Sequence, residues 1–489
     1  MRLLELLERA GLQAGREYDL HGRDDAEVQR LSDDSRRVDP STMFVATAQG
    51  QKFVEQVATT GVAPVLLVPA ELTPLASRGK GAVLIARTDL LALQGLLAAT
   101  LCGHASRKME VIGVTGTNGK TSVTHMLYHI WSRCHRPAAL VGTLGVRYRD
   151  ALGREHVEQT GYTTPRAPEL QSLLRRFYDN GVRHVAMEVS SEAIRLGRIE
   201  GTSFAAGIFT NLTPDHLDFH GSMEQYYLSK RVLFERCLAA GARMIVAAGD
   251  AFGERLINEM RAAGAGDRLL ELREPFVNQL PAPTEFNRWN ASLAVLALES
   301  GGISRSEACL YLADLPAIPG RFELVGARGQ PWPEVFGVVD YAHSPDALEK
   351  ALVEARNLNI ANLVVVFGCG GDRDRKKRPL MGAVAARLAD QVVVCDDNPR
   401  TEDASQIRSE ILAGARSVSG AAELIELGSR RAAIREGVAI AVRSRHFPAL
   451  VLVAGKGHEE YQIFRDRREP FSDRTELEQA LLERPRHEA

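Results

Sequence analysis

The sequence predicts an α/β protein in which parallel sheets are covered by helices on both faces. The main observation is a repeated alternation of short apolar runs, polar or glycine-rich loops and helical stretches, which is typical of βαβ units. The second observation is the length, because 489 residues are enough for about three domains of roughly 150 residues.

We predict three domains, at residues 1–107, 108–318 and 319–489. The second boundary lies at Pro316-Ala317-Ile318-Pro319-Gly320, where two prolines and a glycine mark a linker. The apolar runs of strand length are residues 43–46, 63–68 and 82–85 in the first domain, 111–114, 138–141, 184–187, 206–209 and 244–247 in the second, and 335–339, 363–367, 391–395 and 450–453 in the third.

Composition and charge exclude several classes of protein. Hydrophobic residues make up 45% and charged residues 25%, as in soluble globular proteins, and the net charge of −2 gives no basic surplus for nucleic acid. No apolar run reaches the roughly 18 residues of a membrane span, and charges interrupt the first run, so residues 1–9 predict an amphipathic helix. Six widely spaced cysteines without a C-x-x-C pair favour a cytoplasmic protein without zinc or disulfides. We expect a monomer that acts on small molecules, with no nucleic-acid or membrane partner.

The run at residues 111–114 leads into a glycine-rich loop, and a helical stretch follows from Val123. This order of strand, loop and helix is typical of a Walker-type phosphate loop, whose backbone N–H groups converge on phosphate oxygens. Lys120 is predicted to neutralise the β- and γ-phosphates of ATP, and Thr121 to bind Mg²⁺. Val114 stands where the standard spacing has glycine, so the loop is a variant. The predicted ATP-binding residues of the loop are Gly116, Thr117, Asn118, Gly119, Lys120, Thr121 and Ser122.

Polar clusters follow two further runs of the second domain. Glu188 follows residues 184–187, and a segment that contains His216 follows residues 206–209. Since ligands bind at the carboxyl ends of parallel strands, both clusters are expected on the edge that carries the phosphate loop. Carboxylate and imidazole groups suit Mg²⁺ or Mn²⁺ beside a nucleotide, so Glu188 and His216 are predicted metal ligands.

The third domain has three strand-end loops, which follow residues 363–367, 391–395 and 450–453. The same rule places these loops in one crevice, which then holds two arginines, an asparagine and a glutamate. Guanidinium groups bind carboxylates bidentately and a glutamate can receive an ammonium. The loops therefore predict a receptor for a zwitterionic amino acid. A ligand with a second zwitterionic end remains an open alternative. We interpret the charged run at residues 374–378 as a solvated surface loop.

With these motifs the chain resembles the Mur ligase family. Residues 115–121 match T-G-T-N-G-K-T, residues 188–191 match E-V-S-S, and residues 211–221 match N-L-x-x-D-H-L-D-x-H-G. The resemblance implies an N-terminal UDP-sugar-binding domain, a central P-loop ATPase-like domain with a parallel sheet, and a C-terminal Rossmann-like domain that binds the amino acid. It also implies that CO₂ converts Lys230 into a carbamate, which joins Glu188 and His216 around a second Mg²⁺.

The resemblance assigns further residues to ATP. Asn287 and Asn290 match an F-N-x-x-N motif beside the adenine, and Asp340 and His343 lie in a D-Y-A-H loop near the nucleotide. Arg321 belongs to a P-G-R hinge whose arginine approaches the phosphates. The catalytic residues that the resemblance implies are Lys120, Glu188, His216, Lys230, Arg321 and His343.

The resemblance also assigns the two other substrates. The third-domain loops are similar to those of members that add meso-diaminopimelate rather than lysine, and Asp397-Asn398-Pro399-Arg400 carries that distinction. The implied amino-acid-binding residues are Arg373, Asp397, Asn398, Pro399, Arg400, Gly455 and Glu459. The implied contacts with a UDP-muramoyl acceptor are Ser35, Thr163, Thr164, Ser190 and Arg198.

The implied activity is an ADP-forming amide ligase that joins meso-diaminopimelate to a UDP-N-acetylmuramoyl dipeptide through an acyl phosphate. The departures from the family pattern lie on the acceptor side: Glu192 replaces a histidine, Leu196 replaces a glutamine, and a D-G pair is missing after Gly50. A ligase with another acceptor, such as a folate-like or specialised-metabolite carboxylate, therefore stays open. A non-catalytic P-loop regulator is a third hypothesis, against which the retained Lys120 and Lys230 argue.

Overall fold

The computed structural model describes residues 1–22, 25–48, 50–299, 301–326, 333–420 and 422–483. The predicted α/β class is confirmed, since parallel strands alternate with helices along the chain. The described residues form two compact units. The first comprises Met1–Leu212, Phe219–Glu274 and Leu293–Arg305, and the second comprises Thr213–Asp218, Pro275–Ser292 and Ser306–Ala489. The two boundaries between the three predicted domains stay a prediction.

The N-terminal part of the first unit is built on a small sheet. Its elements are α1 (Leu3–Arg9), β1 (Tyr18–His21), β2 (Arg30–Ser32), β3 (Thr42–Val45), α2 (Val54–Thr60), β4 (Val65–Pro69), α3 (Thr73–Ala76), β5 (Ala82–Ala86) and α4 (Leu90–Leu101). Among the described residues the strand order is β1-β5-β4-β3-β2, and β1 alone runs antiparallel to its neighbour. The predicted N-terminal helix is confirmed as α1, which buries Leu3, Leu6 and Leu7.

A second, larger sheet follows in the first unit. The next elements along the chain are β6 (Glu110–Thr115), α5 (Lys120–Arg133), β7 (Ala138–Gly142), β8 (Gly145–Arg149), β9 (Glu155–Glu158), α6 (Ala167–Asp179), β10 (His184–Glu188), α7 (Ser191–Arg195), β11 (Ala206–Phe209), α8 (Leu217–His220), α9 (Met223–Ala239), β12 (Arg243–Ala247), α10 (Ala251–Ala262) and β13 (Leu269–Leu272). Over the described part of the chain the order is β13-β12-β11-β6-β10-β7-β8-β9. Strands β10 and β11 both run parallel to β6, on its two sides.

This part of the structure differs from the sequence prediction in its edge strands and in the start of α5. Strands β8 and β9 are antiparallel to their neighbours, whereas the pattern indicated only parallel strands. Strand β9 carries no apolar run, because three of its four residues are exposed. Helix α5 begins at Lys120, ahead of the predicted Val123.

The second unit is built on a third sheet. The remaining elements are α11 (Glu285–Glu299), α12 (Arg305–Leu312), β14 (Glu323–Val325), β15 (Val335–Asp340), α13 (Pro345–Asn357), β16 (Asn362–Phe367), α14 (Lys377–Leu388), β17 (Gln391–Val394), α15 (Ala404–Arg416), β18 (Glu423–Glu426), α16 (Arg430–Arg443), β19 (Ala449–Ala454), β20 (Tyr461–Phe464), β21 (Arg467–Pro470) and α17 (Asp473–Glu483). Within the residues described, the order is β14-β15-β19-β16-β17-β18, and β20 pairs with β21 in a separate hairpin.

The third sheet is buried on both faces, as the apolar runs predicted. Alternate residues of β16 and β19 belong to different cores: Val365 and Leu452 pack on one face, Val364 and Val451 on the other. With apolar side chains filling both faces, polar residues are left to the strand ends and loops, where ligands bind. No helix in the described ranges is both long and apolar enough to span a membrane.

Candidate active site

The phosphate loop lies between β6 and α5. Gly119 has a φ of 87° and precedes the helix, whose first turn buries Thr121 and Ser122. The Lys120 ammonium donates hydrogen bonds to the carbonyl oxygens of Gly116, at 2.9 Å, and Thr117, at 2.8 Å. A glycine-rich loop that opens a helix presents backbone N–H groups and a partial positive charge to an anion. The geometry thus suits a phosphate group.

The carboxyl end of β11 holds this loop in place. The Thr210 hydroxyl donates to the carbonyl oxygen of Asn118 at 2.6 Å, and the Asn118 N–H donates to the side-chain oxygen of Asn211 at 3.0 Å. Gly116 has a φ of 148°, and a Cβ there would lie 1.9 Å from the Thr210 hydroxyl oxygen. Any side chain at position 116 would therefore displace the anchor of the loop.

Lys230 reaches the same loop from α9. Its side chain is only 1% exposed, and its ammonium donates to the carbonyl oxygen of Gly116 at 2.8 Å. The ammonium also lies 4.6 Å from the centre of the Tyr226 ring, and the Tyr226 hydroxyl is 3.2 Å from that of Thr117. Two lysines, Lys120 and Lys230, thus share one backbone acceptor beside the phosphate loop.

Glu188 ends β10 and is 1% exposed. Its two carboxylate oxygens accept hydrogen bonds from the Thr143 N–H, at 2.9 Å, and the Thr143 hydroxyl, at 3.1 Å. The sequence analysis missed Thr143, although it follows the run at residues 138–141 and therefore obeys the strand-end rule that selected Glu188. The Glu188 carboxylate and the buried Thr121 hydroxyl are hard oxygen donors, which fit Mg²⁺.

His216 belongs to the second unit, whereas Glu188 and Lys230 belong to the first, so the predicted ligand set is not brought together inside either unit. The His216 backbone N–H donates to the Asp215 carboxylate at 2.9 Å. Burial raises the pKa of Asp215, but the charges of His343, His216 and Lys377 more than offset it, and the pKa lies below its usual value. Among the described residues, no group of three or more His, Cys, Asp or Glu side chains could hold a metal ion.

The other predicted nucleotide residues lie in the second unit. The Asp340 carboxylate accepts hydrogen bonds from the Phe322 N–H, at 2.6 Å, and the Ala342 N–H, at 2.8 Å, and burial raises its pKa. The His343 Nδ1 lies 2.9 Å from the Tyr341 carbonyl oxygen, and burial lowers the pKa of the imidazole. The Arg321 guanidinium lies 4.5 Å from the centre of the Tyr341 ring.

Asn287 and Asn290 are both buried on α11. The Asn287 side-chain amide donates to the Ala282 carbonyl oxygen at 3.1 Å. Its backbone N–H donates to the Thr284 hydroxyl at 3.3 Å. These bonds fix the first turn of the helix.

Most of the predicted acceptor-side residues form one network in the first unit. The buried Thr164 hydroxyl donates to the Glu188 carbonyl oxygen at 2.8 Å and accepts from the Ser190 N–H at 3.3 Å. The Arg198 guanidinium donates to the Thr164 carbonyl oxygen at 2.9 Å, and the Thr163 hydroxyl lies 3.1 Å from that of Thr143. This network connects the candidate acceptor site to Glu188.

Ser35 opens a 3-10 turn in the N-terminal part of the same unit. Close to it in sequence, the Asp33 carboxylate accepts a hydrogen bond from the Arg166 guanidinium at 2.6 Å, and Arg37 pairs with Glu169 at 2.7 Å. These ion pairs join the segment around Ser35 to Arg166, which caps α6, and to Glu169 in the first turn of that helix.

The departures from the family pattern lie near this network. Burial lowers the pKa of Arg198, and the opposing charges of Tyr162 and Glu192 offset only part of this effect. Leu196 is 41% exposed. Gly50 is described, and its N–H donates to the Thr47 carbonyl oxygen at 2.7 Å, but Gln49 lies outside the described residues.

The strand-end loops of the second unit meet as the sequence predicted. The Asn398 side-chain amide donates to the Glu459 carboxylate at 2.9 Å. Gly455 has a φ of 116°, and a Cβ there would lie 2.8 Å from a carboxylate oxygen of Asp397. The Arg400 guanidinium donates to the Gly371 carbonyl oxygen at 2.6 Å. Carboxylates, an amide and a guanidinium are thus grouped at neighbouring strand ends.

The remaining residues of this prediction differ in exposure. Pro399 is buried, whereas Arg373 is exposed. Lys456, which the sequence analysis missed, is completely buried, and its ammonium donates to Asn398 at 3.1 Å and to Glu459 at 2.9 Å. The signal in the sequence was its position between Gly455 and Gly457, directly after an apolar run of strand length.

The interpretation of residues 374–378 as a solvated surface loop is wrong for Arg378, which is completely buried. Its guanidinium donates to Glu402 at 2.8 and 2.9 Å and to Glu410 at 2.8 Å. It also donates to the Gly370 carbonyl oxygen at 3.3 Å. Arg378 therefore fastens together the loops that carry Arg373 and Arg400, because a buried arginine is stable only when it is paired.

The fold and the loop define an α/β nucleotide-binding protein, and comparison with known proteins gives the family. Residues 114–269 match the model of the Mur ligase middle domain, and residues 320–457 match that of the Mur ligase glutamate ligase domain. The chain belongs to the Mur ligase family.

Relatives of the chain extend over nearly its whole length. The UDP-N-acetylmuramoyl-L-alanyl-D-glutamate–2,6-diaminopimelate ligase of Parasynechococcus marenigrum is 38% identical and covers 95% of this chain and 96% of its own. The ligase of the same name from Leptospira borgpetersenii is 36% identical, with 94% of each chain covered. A solved structure of a ligase of this name has a TM-score of 0.65 at 26% identity and covers 98% of both chains.

Proposed function

We propose that the protein is an ATP-dependent, ADP-forming ligase that adds meso-diaminopimelate to UDP-N-acetylmuramoyl-L-alanyl-D-glutamate in peptidoglycan precursor synthesis. The observation that carries the proposal is the phosphate loop with Lys120 and Lys230 on one carbonyl oxygen, in a chain whose full-length relatives carry this activity in their names. The grouping of Asn398, Arg400 and Glu459 at the strand ends of the second unit supports a diamino acid as the amine substrate.

The reaction has two steps. The γ-phosphoryl group of ATP passes to the terminal carboxylate of the acceptor, which gives ADP and an acyl phosphate. The amine nitrogen of the amino acid then attacks the acyl carbon, loses a proton, and inorganic phosphate leaves as the amide forms. Little covalent work falls to the protein, so positioning and charge neutralisation provide the acceleration.

The residues of the first unit have defined roles in this scheme. Lys120 neutralises the phosphates, and the loop N–H groups orient them. Thr121 and Glu188 would hold Mg²⁺, which supplies charge neutralisation between the nucleotide and the acceptor carboxylate. His216 and a carbamate on Lys230 remain predicted members of this ligand set. Thr164, Ser190 and Arg198 orient the muramoyl dipeptide.

The experiment that tests the proposal measures phosphate release with ATP, Mg²⁺ and UDP-N-acetylmuramoyl-L-alanyl-D-glutamate, and identifies the product by mass spectrometry. We expect turnover with meso-diaminopimelate, little with L-lysine, and none when acceptor or amine is omitted. Silence with this acceptor, from protein that still binds ATP, would contradict the proposal. That result would favour a ligase with another carboxylate acceptor, which the presence of Glu192 in place of the family's histidine motivates.

We further propose that Lys230 is carbamoylated, which converts a buried cation into an anionic oxygen ligand. With ¹³C-bicarbonate the wild-type enzyme is expected to show a carbamate carbon signal in the NMR spectrum. The Lys230→Met variant should lose this signal, because methionine has no amine that CO₂ can carbamoylate. It should also lose its activity, because methionine supplies no anionic oxygen ligand for Mg²⁺. An unchanged signal in the variant would assign the carbamate to another amine.

The proposed setting is the cytoplasm, with the protein acting as a monomer on small molecules. The support is the set of six widely spaced cysteines, which suits a reducing compartment. The near-neutral net charge of −2 offers no general attraction to nucleic acid.

A further inference from the structure

Lys456 occupies a central position among the strand-end loops of the second unit. Its side chain is completely buried, and its ammonium lies between the Asn398 oxygen, at 3.1 Å, and a Glu459 carboxylate oxygen, at 2.9 Å. A carboxylate oxygen of Asp397 is 3.9 Å away. The ammonium therefore contacts the side chains to which the proposed function assigns the amino-acid substrate.

Charges of both signs surround this position. Asp397 and Glu459 contribute two negative charges, and Lys456 and Arg400 contribute two positive charges. Arg468 is a further cation, with its guanidinium 3.6 Å from the centre of the Tyr461 ring. Arg430 is paired with Asp473, at 2.7 Å, and lies 3.9 Å from Asp397. A ligand that carries both an ammonium and a carboxylate adds no net charge to this cluster.

Glu459 can still receive a second cation. Lys456 and Asn398 both donate to its Oε2 atom, and within the described chain no hydrogen bond reaches its Oε1 atom. One ammonium of a ligand can bind there, while Arg400 remains for a carboxylate. An ammonium without a carboxylate would add a net positive charge to a site that already holds several cations.

We propose that Lys456 is a specificity-determining residue, which makes this site select an amino acid with a zwitterionic far end over one that ends in an ammonium alone. The inference rests on the proposed function and extends it to the basis of amine selection. Without Lys456, the Glu459 Oε2 atom would lose the ammonium that contacts it at 2.9 Å, and the site would carry one positive charge less. Glu459 would then accept a free ammonium more readily, and the preference for the zwitterion would weaken.

The test compares kcat/KM for meso-diaminopimelate and for L-lysine in wild type, Lys456→Met, Lys456→Gln and Lys456→Arg. We expect the ratio of the two values to fall about tenfold or more in Lys456→Met and Lys456→Gln, because both remove a buried charge. Lys456→Arg keeps the charge and should preserve most of the ratio. Lys350→Met, on the partly exposed Lys350 of α13, is the matched control and should leave the ratio unchanged.

A purely structural role for Lys456 would predict another result. Both amines would then lose efficiency equally in Lys456→Met and Lys456→Gln, the ratio would stay constant, and the proposal would be overturned. Calorimetry with meso-diaminopimelate and L-lysine, on wild type and Lys456→Gln, measures the same preference without turnover. If the wild-type protein binds meso-diaminopimelate more tightly than L-lysine but releases no phosphate, the proposed function is contradicted and the role of Lys456 is not. If the wild-type protein shows no preference between the two amines, the role of Lys456 is contradicted.

Discussion

Replacing Lys120 with alanine is expected to lower kcat by about a hundred- to a thousandfold, the range seen when one preorganised stabilising donor is removed from an active site. The Lys120 ammonium is held at the phosphate loop by two carbonyl oxygens, at 2.9 and 2.8 Å. This arrangement positions the charge before a nucleotide arrives. Because charge develops on the transferred phosphoryl group, the loss should fall on kcat more than on the affinity for acceptor or amine.

The measurement is phosphate release at saturating substrates, together with nucleotide binding by calorimetry. Lys80→Ala is the control, since Lys80 is exposed in the N-terminal part of the first unit and should behave as wild type. A Lys120→Ala variant that keeps more than about a tenth of the wild-type kcat would contradict the role assigned to the loop lysine.

The Arg430→Leu variant is expected to lose about 3–5 kcal/mol of folding stability, the cost of breaking a buried ion pair by removing one partner. The Arg430 guanidinium and the Asp473 carboxylate are both completely buried, with contacts of 2.7 and 2.8 Å. The same guanidinium donates to the Ala454 carbonyl oxygen at 2.8 Å. Leucine would leave the Asp473 carboxylate without its charge partner.

The measurement is hydrogen exchange of peptides from β19 across a urea series, which gives the free energy of unfolding of that strand. Strand β19 is chosen because it ends at Ala454, which Arg430 contacts. The double variant Arg430→Leu/Asp473→Leu is the informative companion, because replacing both partners of a buried pair with apolar residues is often nearly neutral. We expect it to recover most of the stability. Equal destabilisation of the single and double variants would show that the bond to Ala454, rather than the ion pair, dominates.

The sequence predicted the parallel strands well because a strand buried on both faces requires an unbroken apolar run. Residues 206–209 match β11 completely, and residues 111–114 lie inside β6. Strands β9 and β18 could not be found in this way, since their end residues are exposed. Their pairing depends on neighbouring strands rather than on their own composition.

The candidate site was predictable where the topology alone brings residues together. Glu188 and Asn398 follow strands that end at an edge where loops meet, and the order of the strands fixes that outcome. The burial of Arg378 and Lys456 was not predictable, because a charged side chain is usually solvated. Their burial depends on partners such as Glu402 and Glu459, which only the folded chain brings into contact.

The exposed ends of β9 and β18 also bear on how the protein behaves at high concentration. A bare sheet edge is a template for pairing with another chain, and charged residues there discourage aggregation. Strand β9 carries Glu155 and Glu158, and β18 carries Glu423 and Glu426, all exposed. Two neighbouring molecules that aligned such edges would have to strip water from these charged side chains, three of which pair with Arg147, Arg176 and Arg408. These glutamates should therefore help to keep the newly made chain from forming fibrous or amorphous aggregates.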